Sequence, residues 1–221
     1  MKAVFFDFDG TLTIKGPNIW KALWEELGYD TSIGSEYKRQ LDAFLNGSIT
    51  YQEWCNETLQ CYIAKEMDLN NLNNVTKNMK LVNGTTETLK KLKEKGYSLH
   101  IISGNVIDVI EKVLGENVKY FNTINANDFC FDNNNKLTYI KGTKYDCEGK
   151  AQFIQEYIEK NNANPSELYF VGNGFNDDWA YLSGCNTICV NPDEAEHTNE
   201  TKWHKVLENL TDLQEILQFI K

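Results

Sequence analysis

The feature that most constrains this chain is a short apolar run near its start, Val4 to Phe8, which carries Asp7 and leads into Asp9. A run of β-forming residues of this kind predicts a buried strand of a parallel sheet. Because side chains alternate along a strand, the two carboxylates should project to the same side, and Gly10 lets the backbone turn next to a ligand. Acids at a buried strand end need a partner. A divalent cation carrying a phosphate is the most natural one, and the alternative is an acidic pair that only caps backbone amides.

The second half of the chain alternates between helical and strand-like patterns. This alternation predicts an α/β protein with a doubly wound, Rossmann-like parallel sheet, whose ligands bind at the carboxyl ends of the strands. An Asn-rich segment at 132–135, between two β-forming stretches, predicts a hairpin. The segments 177–182 and 210–220 predict helices. The expected strands are Tyr97–Ile102, Tyr120–Ala126, Leu168–Val171 and Thr187–Val190.

Between the first strand and this alternating part lies a block with helical periodicity and many aromatic residues. Thr50 and Glu53 form a T-x-x-E capping box that predicts the start of one of its helices. We therefore expect a helical insert at residues 15–82, and a core domain formed by residues 1–14 and 83–221. Because the insert follows the acidic strand end directly, we expect it to cover that end. Most of its aromatic side chains should form its own core, and one or two could face the acidic site.

Composition narrows the function classes. Of 221 residues, 32 are acidic and 22 basic, so the net charge of −10 argues against nucleic acid or an anionic membrane as a partner. No apolar run is long enough to cross a bilayer, and the start of the sequence reads as a core strand, without a secretory signal. The six cysteines lack zinc-ligand spacing. We expect a cytoplasmic protein with reduced thiols, a monomer or homodimer.

Three further segments place polar groups at predicted strand ends. Ser103-Gly104-Asn105 follows one apolar run and precedes a predicted helix, so its hydroxyl and amides suit a phosphate oxygen, or an ordinary helix cap. Lys150 lies early in a helix, where a positive charge is unfavourable to the helix dipole, although a surface lysine is the alternative. The segment 172–178, GNGFNDD, suits metal ligands on a tight turn, or an Asn-Gly turn with a helix cap.

Taken in order, these segments resemble the four motifs of the haloacid dehalogenase superfamily of phosphohydrolases. DFDGTLT at 7–13 is similar to its nucleophile motif, and IISGN at 101–105 to its second motif. Lys150 in GKAQFI is similar to the third, and VGNGFNDD at 171–178 to the fourth. The resemblance covers essentially the whole chain. The insert looks like a small type-one cap domain, and the phosphoserine phosphatase-like branch is the most similar in layout.

The resemblance implies a magnesium-dependent phosphatase that acts on a small phosphorylated metabolite. Asp7 would attack phosphorus and form an aspartyl-phosphate, and Asp9 would protonate the leaving oxygen and then activate water. The implied catalytic residues are Asp7, Asp9, Ser103 and Lys150. The implied phosphate-binding residues are Asp7, Gly10, Thr11, Ser103, Gly104 and Lys150. The implied Mg²⁺ ligands are Asp7, the backbone carbonyl of Asp9, Asn173 and Asp177.

Two departures from the family pattern leave alternatives open. Asn173 stands where the fourth motif has an aspartate, which predicts weaker magnesium binding or a shift of the metal to Asp177 and Asp178. The family's phosphoserine enzymes hold the amino acid with a glutamate and an arginine, whereas Arg39 is the only arginine here and lies outside the matching segment. Phosphoserine is therefore not assured as a substrate. A phosphotransferase or phosphomutase, and a non-catalytic phosphate-binding module, are the alternative functions.

Overall fold

The computed structural model describes residues 1–193 and 202–221, and in these ranges the chain forms one seven-stranded sheet. The strand order is β4-β3-β2-β1-β5-β6-β7, and all neighbours are parallel except the antiparallel pair β3 and β4. The strands are β1 (Ala3–Phe6), β2 (Ser98–Val106), β3 (Thr123–Phe131), β4 (Leu137–Lys141), β5 (Leu168–Gly172), β6 (Asn186–Val190) and β7 (Lys205–Leu207). The predicted doubly wound parallel sheet is confirmed.

The first strand is the centre of this sheet. All four residues of β1 are fully buried, because strands flank it on both sides and helices cover both faces. The ladder with β5 continues one residue further, since the amide of Asp7 donates a 2.9 Å hydrogen bond to the carbonyl of Val171. The backbone of Asp7 is thereby fixed at the carboxyl edge of the sheet, where the apolar run ends.

Seven α-helices are present in the described residues. They are α1 (Ile19–Glu26), α2 (Glu36–Leu45), α3 (Tyr51–Ala64), α4 (Leu69–Thr76), α5 (Thr85–Glu94), α6 (Ile107–Leu114) and α7 (Glu148–Asn161). The predicted capping box at Thr50 and Glu53 is confirmed, with both of its reciprocal hydrogen bonds formed at the start of α3. No helix of the described ranges is long and apolar enough to span a membrane.

The helical insert, residues 15–82, contains α1 to α4 and packs around its aromatic residues. Trp24 is fully buried and Trp54 nearly so, which confirms that most of these rings are core. The apolar cluster they belong to continues into Phe129 and Ile140 of the β3–β4 hairpin. The insert therefore shares its hydrophobic core with that hairpin, and the boundaries proposed for a separate cap domain stay a prediction.

Several local features differ from the predictions. The strand expected at Tyr120–Ala126 begins at Thr123 and continues to Phe131 in the hairpin. Ser103 to Asn105 lie within β2, whose register against β3 shifts after Ile102, and the helix expected after them begins at Ile107. The two helices expected at 177–182 and 210–220 are short 3₁₀ helices, Asp178–Ser183 and Leu213–Gln218. Strand β7 was not predicted. Short segments like these take their conformation from the surface they pack on, which periodicity does not report.

A histidine in the sheet gives the fold a pH dependence. His100 of β2 is buried, stacks on the ring of Phe5 with centroids 5.2 Å apart, and shares a 2.9 Å hydrogen bond with Thr123. Burial, followed by the nearby charge of Lys93, lowers the pKa of His100 from 6.5 to about 4. The unfolded chain therefore takes up this proton at a higher pH than the folded protein does.

We expect His100→Gln to remove an acid-sensitive part of the stability. Since the folded pKa lies below the unfolded one, wild type should lose about 3 kcal/mol relative to the variant as the pH falls from 6.5 to 4. Urea unfolding of both proteins across this range measures the difference. A His100→Gln difference that does not change with pH would contradict the prediction.

Candidate active site

The carboxyl ends of β1, β2 and β5 open into one cavity of about 250 Å³ under the insert. The sheet order explains this, because β1 lies between the other two and all three run in parallel. The residues that these strand ends contribute to its wall are Asp7, Asp9, Gly10, Ser103, Gly104, Asn105, Asn173 and Gly174. Every predicted catalytic residue except Lys150 thus lines the same cavity.

Lys150 lies directly behind this wall and joins two of its carboxylates. Its side chain is completely buried, and its Nζ donates to Asp7 Oδ1 at 3.0 Å and to Asp177 Oδ1. Gly149 makes this approach possible, since a Cβ there would lie 2.1 Å from the carbonyl oxygen of Lys144. The surface-lysine alternative is wrong.

The turn after β5 is folded around Asp177. Oδ2 of this carboxylate accepts hydrogen bonds from the backbone amides of Asn173 at 2.8 Å and Gly174 at 3.0 Å. A Cβ at Gly172 would come within 2.6 Å of Asp177 Cγ, so the close return of the chain requires glycine. Asp177 thereby fixes both the turn and Lys150. Asp178, the other acid of the motif, instead pairs with Lys202 at 2.6 Å and does not line the cavity.

Asp9 is held from the second strand. The side-chain amide of Asn105 donates a 2.8 Å hydrogen bond to Asp9 Oδ1, and the backbone amide of Asn105 donates to Ser103 Oγ at 3.2 Å. Asn105 is nearly fully buried. The sequence drew attention to this residue only for its place in the turn. The sequence signal for its second role, orienting Asp9, was an amide side chain two positions after Ser103.

Asn173 touches the turn that follows the first motif. Its Oδ1 lies 3.5 Å from the hydroxyl of Thr11, and a Cβ at Gly10 would meet its Nδ2 at 2.4 Å. Gly10 also has a φ of +72°, which favours glycine at this position. Thr11 is fully buried behind the cavity wall, with its hydroxyl directed to Asn173. Its predicted contact with phosphate stays a prediction.

Burial sets the protonation of the two acids of the first motif. It is the main reason that the pKa of Asp7 rises to about 8, with the negative charge of Asp177 adding to it and Lys150 opposing it. Burial likewise raises the pKa of Asp9 to about 6, against the hydrogen bond from Asn105. For Lys150, burial lowers the pKa, but Asp177 and Asp7 outweigh it and hold the pKa above its usual range. One lysine thus faces more acid than it can neutralise, and a cation would relieve the excess.

The atoms around this excess charge that could bind a metal ion are all oxygen atoms. The described residues contain no cluster of three His, Cys, Asp or Glu side chains arranged for a metal ion. A metal here would therefore depend on a smaller charged set: the carboxylate of Asp7, the backbone carbonyl of Asp9 and the amide oxygen of Asn173. Hard oxygen donors with few carboxylates suit Mg²⁺, which usually keeps several waters and substrate oxygens in its shell. The residues present fit that ion.

The insert supplies the opposite wall of the cavity. Trp20, Tyr37, Phe44 and Trp54 line it, and the rings of Phe44 and Trp54 stack with centroids 5.6 Å apart. The indole N–H of Trp20 donates a 2.9 Å hydrogen bond to the carbonyl of Gly104, next to Ser103. Four aromatic side chains of the insert therefore line the cavity, where one or two were expected. Asp146, in the loop before α7, also lines the cavity and was not predicted.

Comparison with known proteins identifies relatives of this chain. A model of the haloacid dehalogenase-like hydrolases matches residues 1–181. A phosphoserine phosphatase from Archaeoglobus fulgidus is 26% identical over 180 residues, which is 80% of this chain but 48% of that protein. One from Methanocaldococcus jannaschii is 23% identical over 226 residues, covering 100% of this chain and 98% of the relative. The chain thus spans about half the length of the first relative and nearly all of the second.

Solved structures share the fold. A phospho-aspartyl intermediate analogue of phosphoserine phosphatase superposes with a TM-score of 0.73 at 23% identity, covering 100% of this chain and 99% of that one. A HAD family hydrolase from Salmonella enterica serovar Typhi superposes with a TM-score of 0.76 at 18% identity, covering 99% and 70%. At these identities the likeness establishes the architecture of the chain.

Proposed function

This chain belongs to the haloacid dehalogenase-like hydrolase family, and we propose that it is a Mg²⁺-dependent phosphatase of small phosphomonoesters that works through an aspartyl-phosphate. The observation that carries the proposal is the buried Lys150, which bonds both Asp7 and Asp177 at the floor of a covered cavity. Burying three charged groups is costly, and such clusters are characteristic of functional sites. The names of the relatives, which are phosphoserine phosphatases, support the same class of reaction.

The proposed reaction has two displacements. In the first, a carboxylate oxygen of Asp7 forms a bond to phosphorus while the ester P–O bond breaks, and Asp9 gives its proton to the leaving oxygen. In the second, Asp9 takes a proton from water, the water oxygen attacks phosphorus, and the bond to Asp7 breaks to release phosphate. Hydrogen bonds from the side chain of Asn105 and the backbone of Ile19 hold the carboxyl group of Asp9 in place for this proton transfer. Ser103 would hold phosphoryl oxygens in place, and Lys150, behind the wall, would neutralise negative charge on Asp7 and the phosphoryl group.

We assign Mg²⁺ binding to Asp7, the carbonyl of Asp9 and the amide oxygen of Asn173. When bound, the ion would neutralise charge on the phosphoryl group and lower the pKa of Asp7, so that Asp7 is ionised while Asp9 keeps its proton. Asp177 is also a predicted ligand, but its oxygens accept from Lys150 and from two backbone amides. We therefore propose that Asp177 mainly positions Lys150 and the turn that presents Asn173. A cytoplasmic location and a small phosphorylated metabolite as substrate belong to the same proposal, and the covered cavity supports the small substrate.

Release of inorganic phosphate tests the proposed function. The purified protein should hydrolyse p-nitrophenyl phosphate with added Mg²⁺ and stop when EDTA removes the metal. Adding an alcohol acceptor distinguishes the alternatives, because a phosphotransferase would form a new ester and release less phosphate. A protein that binds phosphate but releases none with Mg²⁺, Mn²⁺ or Co²⁺ would instead be the non-catalytic module.

We expect Asn173→Asp to lower the Mg²⁺ concentration needed for half-maximal activity. An aspartate would add one negative charge next to Asp7, and the added attraction is worth on the order of tenfold in affinity. Calorimetric titration of Mg²⁺ into both proteins measures the affinity directly, and a magnesium titration of phosphate release measures it in turnover. An unchanged or higher requirement would contradict the assignment of Asn173 to the metal.

A further inference from the structure

We propose that the leaving group of the substrate carries an ammonium and no carboxylate, so that the cavity takes the phosphomonoester of an amino alcohol, primary or quaternary. This inference rests on the proposed function and narrows its substrate class. It follows from three features around the cavity: an aromatic wall on the insert, the carboxylate of Asp146 beside that wall, and the position of the chain's single arginine.

The aromatic wall has the composition of a cation-binding surface. Trp54 contacts both Trp20 and Phe44 beside the cavity, with its ring centroid 4.5 Å from that of Trp20 and 5.6 Å from that of Phe44. Tyr37 completes the wall. The faces of such rings carry partial negative charge and attract ammonium groups, indole most strongly. An apolar wall alone would accept any alkyl group, so the charges around the wall decide whether a cationic leaving group is preferred.

Asp146 places a negative charge at the edge of this wall. Its Oδ1 accepts hydrogen bonds from the amide of Cys147 at 2.9 Å and from the side chain of Asn176 at 3.2 Å. Its Oδ2 is directed at Gly104, where a Cβ would lie 2.5 Å away. The carbonyl of Gly104 also accepts the hydrogen bond from the indole of Trp20, so the Asp146 carboxylate and the Trp20 indole both lie next to Gly104. Asp146 is half-buried, so its charge is only partly screened by solvent.

Asp146 lies where the phosphoryl site of the core adjoins the insert, and its negative charge acts on groups on both sides. On the insert side, burial first and then the charge of Asp146 hold the pKa of Tyr51 above its usual range. On the core side Asp146 lies against Gly104, the residue after Ser103, where a Cβ would be 2.5 Å from its Oδ2. A leaving group that extends from Asp9 towards the aromatic wall passes through this junction. An ammonium there would be attracted, and a carboxylate repelled.

The cationic residues of the chain are not arranged for a substrate carboxylate. Arg39, the only arginine, bonds Glu36 and Glu57 on the exposed side of α2 and does not line the cavity. The guanidinium group, which could hold a substrate carboxylate through two hydrogen bonds, is therefore paired outside the cavity. Lys15 lies at the exposed rim and donates to the carbonyl of Pro192 at 3.1 Å. It is the one cation in the described lining, which otherwise carries the acids of the first motif, Asp146 and Asp193.

A matched set of esters tests the inference. Phosphocholine and phosphoethanolamine carry the ammonium, O-phosphoserine adds a carboxylate, and 3,3-dimethylbutyl phosphate is the uncharged isostere of phosphocholine. We expect kcat/KM to be about tenfold or more higher for the better of the two ammonium esters than for both phosphoserine and the isostere. Equal rates for phosphocholine and its isostere, with no gain for phosphoethanolamine, would overturn the inference. A preference for phosphoserine would do so as well.

Variants locate the source of the preference. Asp146→Asn and Trp54→Leu should each reduce the ratio of kcat/KM between the best ammonium ester and the isostere by about threefold or more. Asp178→Asn, a buried acid outside the cavity, is the control and should keep the wild-type ratio. A ratio unchanged in both cavity variants would contradict the assignment of the site.

Binding separates this inference from the proposed function. Calorimetry of Asp7→Asn with the same esters measures recognition without turnover. If no ester is hydrolysed but the ammonium esters still bind more tightly than the isostere and phosphoserine, the proposed function fails and the ligand class stands. If the esters are hydrolysed without that preference, the inference alone fails. If nothing is hydrolysed or bound, both fail.

Discussion

Asp7→Asn is expected to lower kcat for phosphate release by a factor on the order of 10³ or more, the scale seen when a covalent nucleophile is removed. The amide oxygen that replaces the carboxylate is a poor nucleophile towards phosphorus, although it can still accept the hydrogen bond from Lys150 Nζ, which lies 3.0 Å from Asp7 Oδ1. Steady-state phosphate release measures the loss. Labelled substrate should leave its phosphoryl group on acid-quenched wild type, and leave none on the variant.

Stability measurements separate this loss from misfolding. Burial raises the pKa of Asp7 from 3.8 to about 8 in the folded chain, so the metal-free protein loses stability as the pH rises through that window. Asparagine has no charge to bury, and Asp7→Asn should therefore be as stable as wild type, or more so, at pH 8 without metal. Asp178→Asn is the activity control, since Asp178 pairs with Lys202 outside the cavity. Turnover by Asp7→Asn within tenfold of wild type would show that Asp7 is not the nucleophile.

The sequence predicted the centre of the sheet well because the apolar runs and the polar or glycine residues that end them indicate the same strands. The apolar run of β1 ends in acids, and the run of β5 ends in glycines, so composition marks both the strand and its carboxyl end. The parallel order then places Asp7 and the 172–177 turn side by side. Lys150 was found by its motif, and its complete burial could be learned only from the packing of α7 on the sheet.

The parts that sequence missed depend on contacts between distant segments. The bond from Asn105 to Asp9 joins residues 96 positions apart, and no local pattern reports it. Asp146 lies in a loop without hydrophobic periodicity, and only the return of that loop to Gly104 brings it to the cavity. The aromatic residues of the insert were recognised, but which of them face the cavity depends on how four helices pack on the β3–β4 hairpin.

Lys150→Met should cost both activity and stability. Methionine fills a similar volume but leaves the carboxylates of Asp7 and Asp177 buried without their shared cation. Breaking a buried pair in this way typically costs about 3–5 kcal/mol. We also expect kcat to fall by a factor on the order of 10² or more, because the phosphoryl group loses its fixed positive charge. Urea unfolding and phosphate release measure the two effects.

A matched variant and the pH dependence identify the cause of the instability. Lys202→Met removes a lysine from Asp178, but that lysine is about one-third exposed, so the loss should stay near 1 kcal/mol or less. Burial and Asp177 raise the pKa of Asp7 to about 8, and losing the opposing charge of Lys150 raises it further. Protonation of Asp7 should therefore reduce the deficit relative to wild type as the pH falls from about 10 towards 8. A Lys150→Met protein as stable as Lys202→Met at pH 8, or one whose deficit grows on acidification, would show that the lysine does not hold these two carboxylates together.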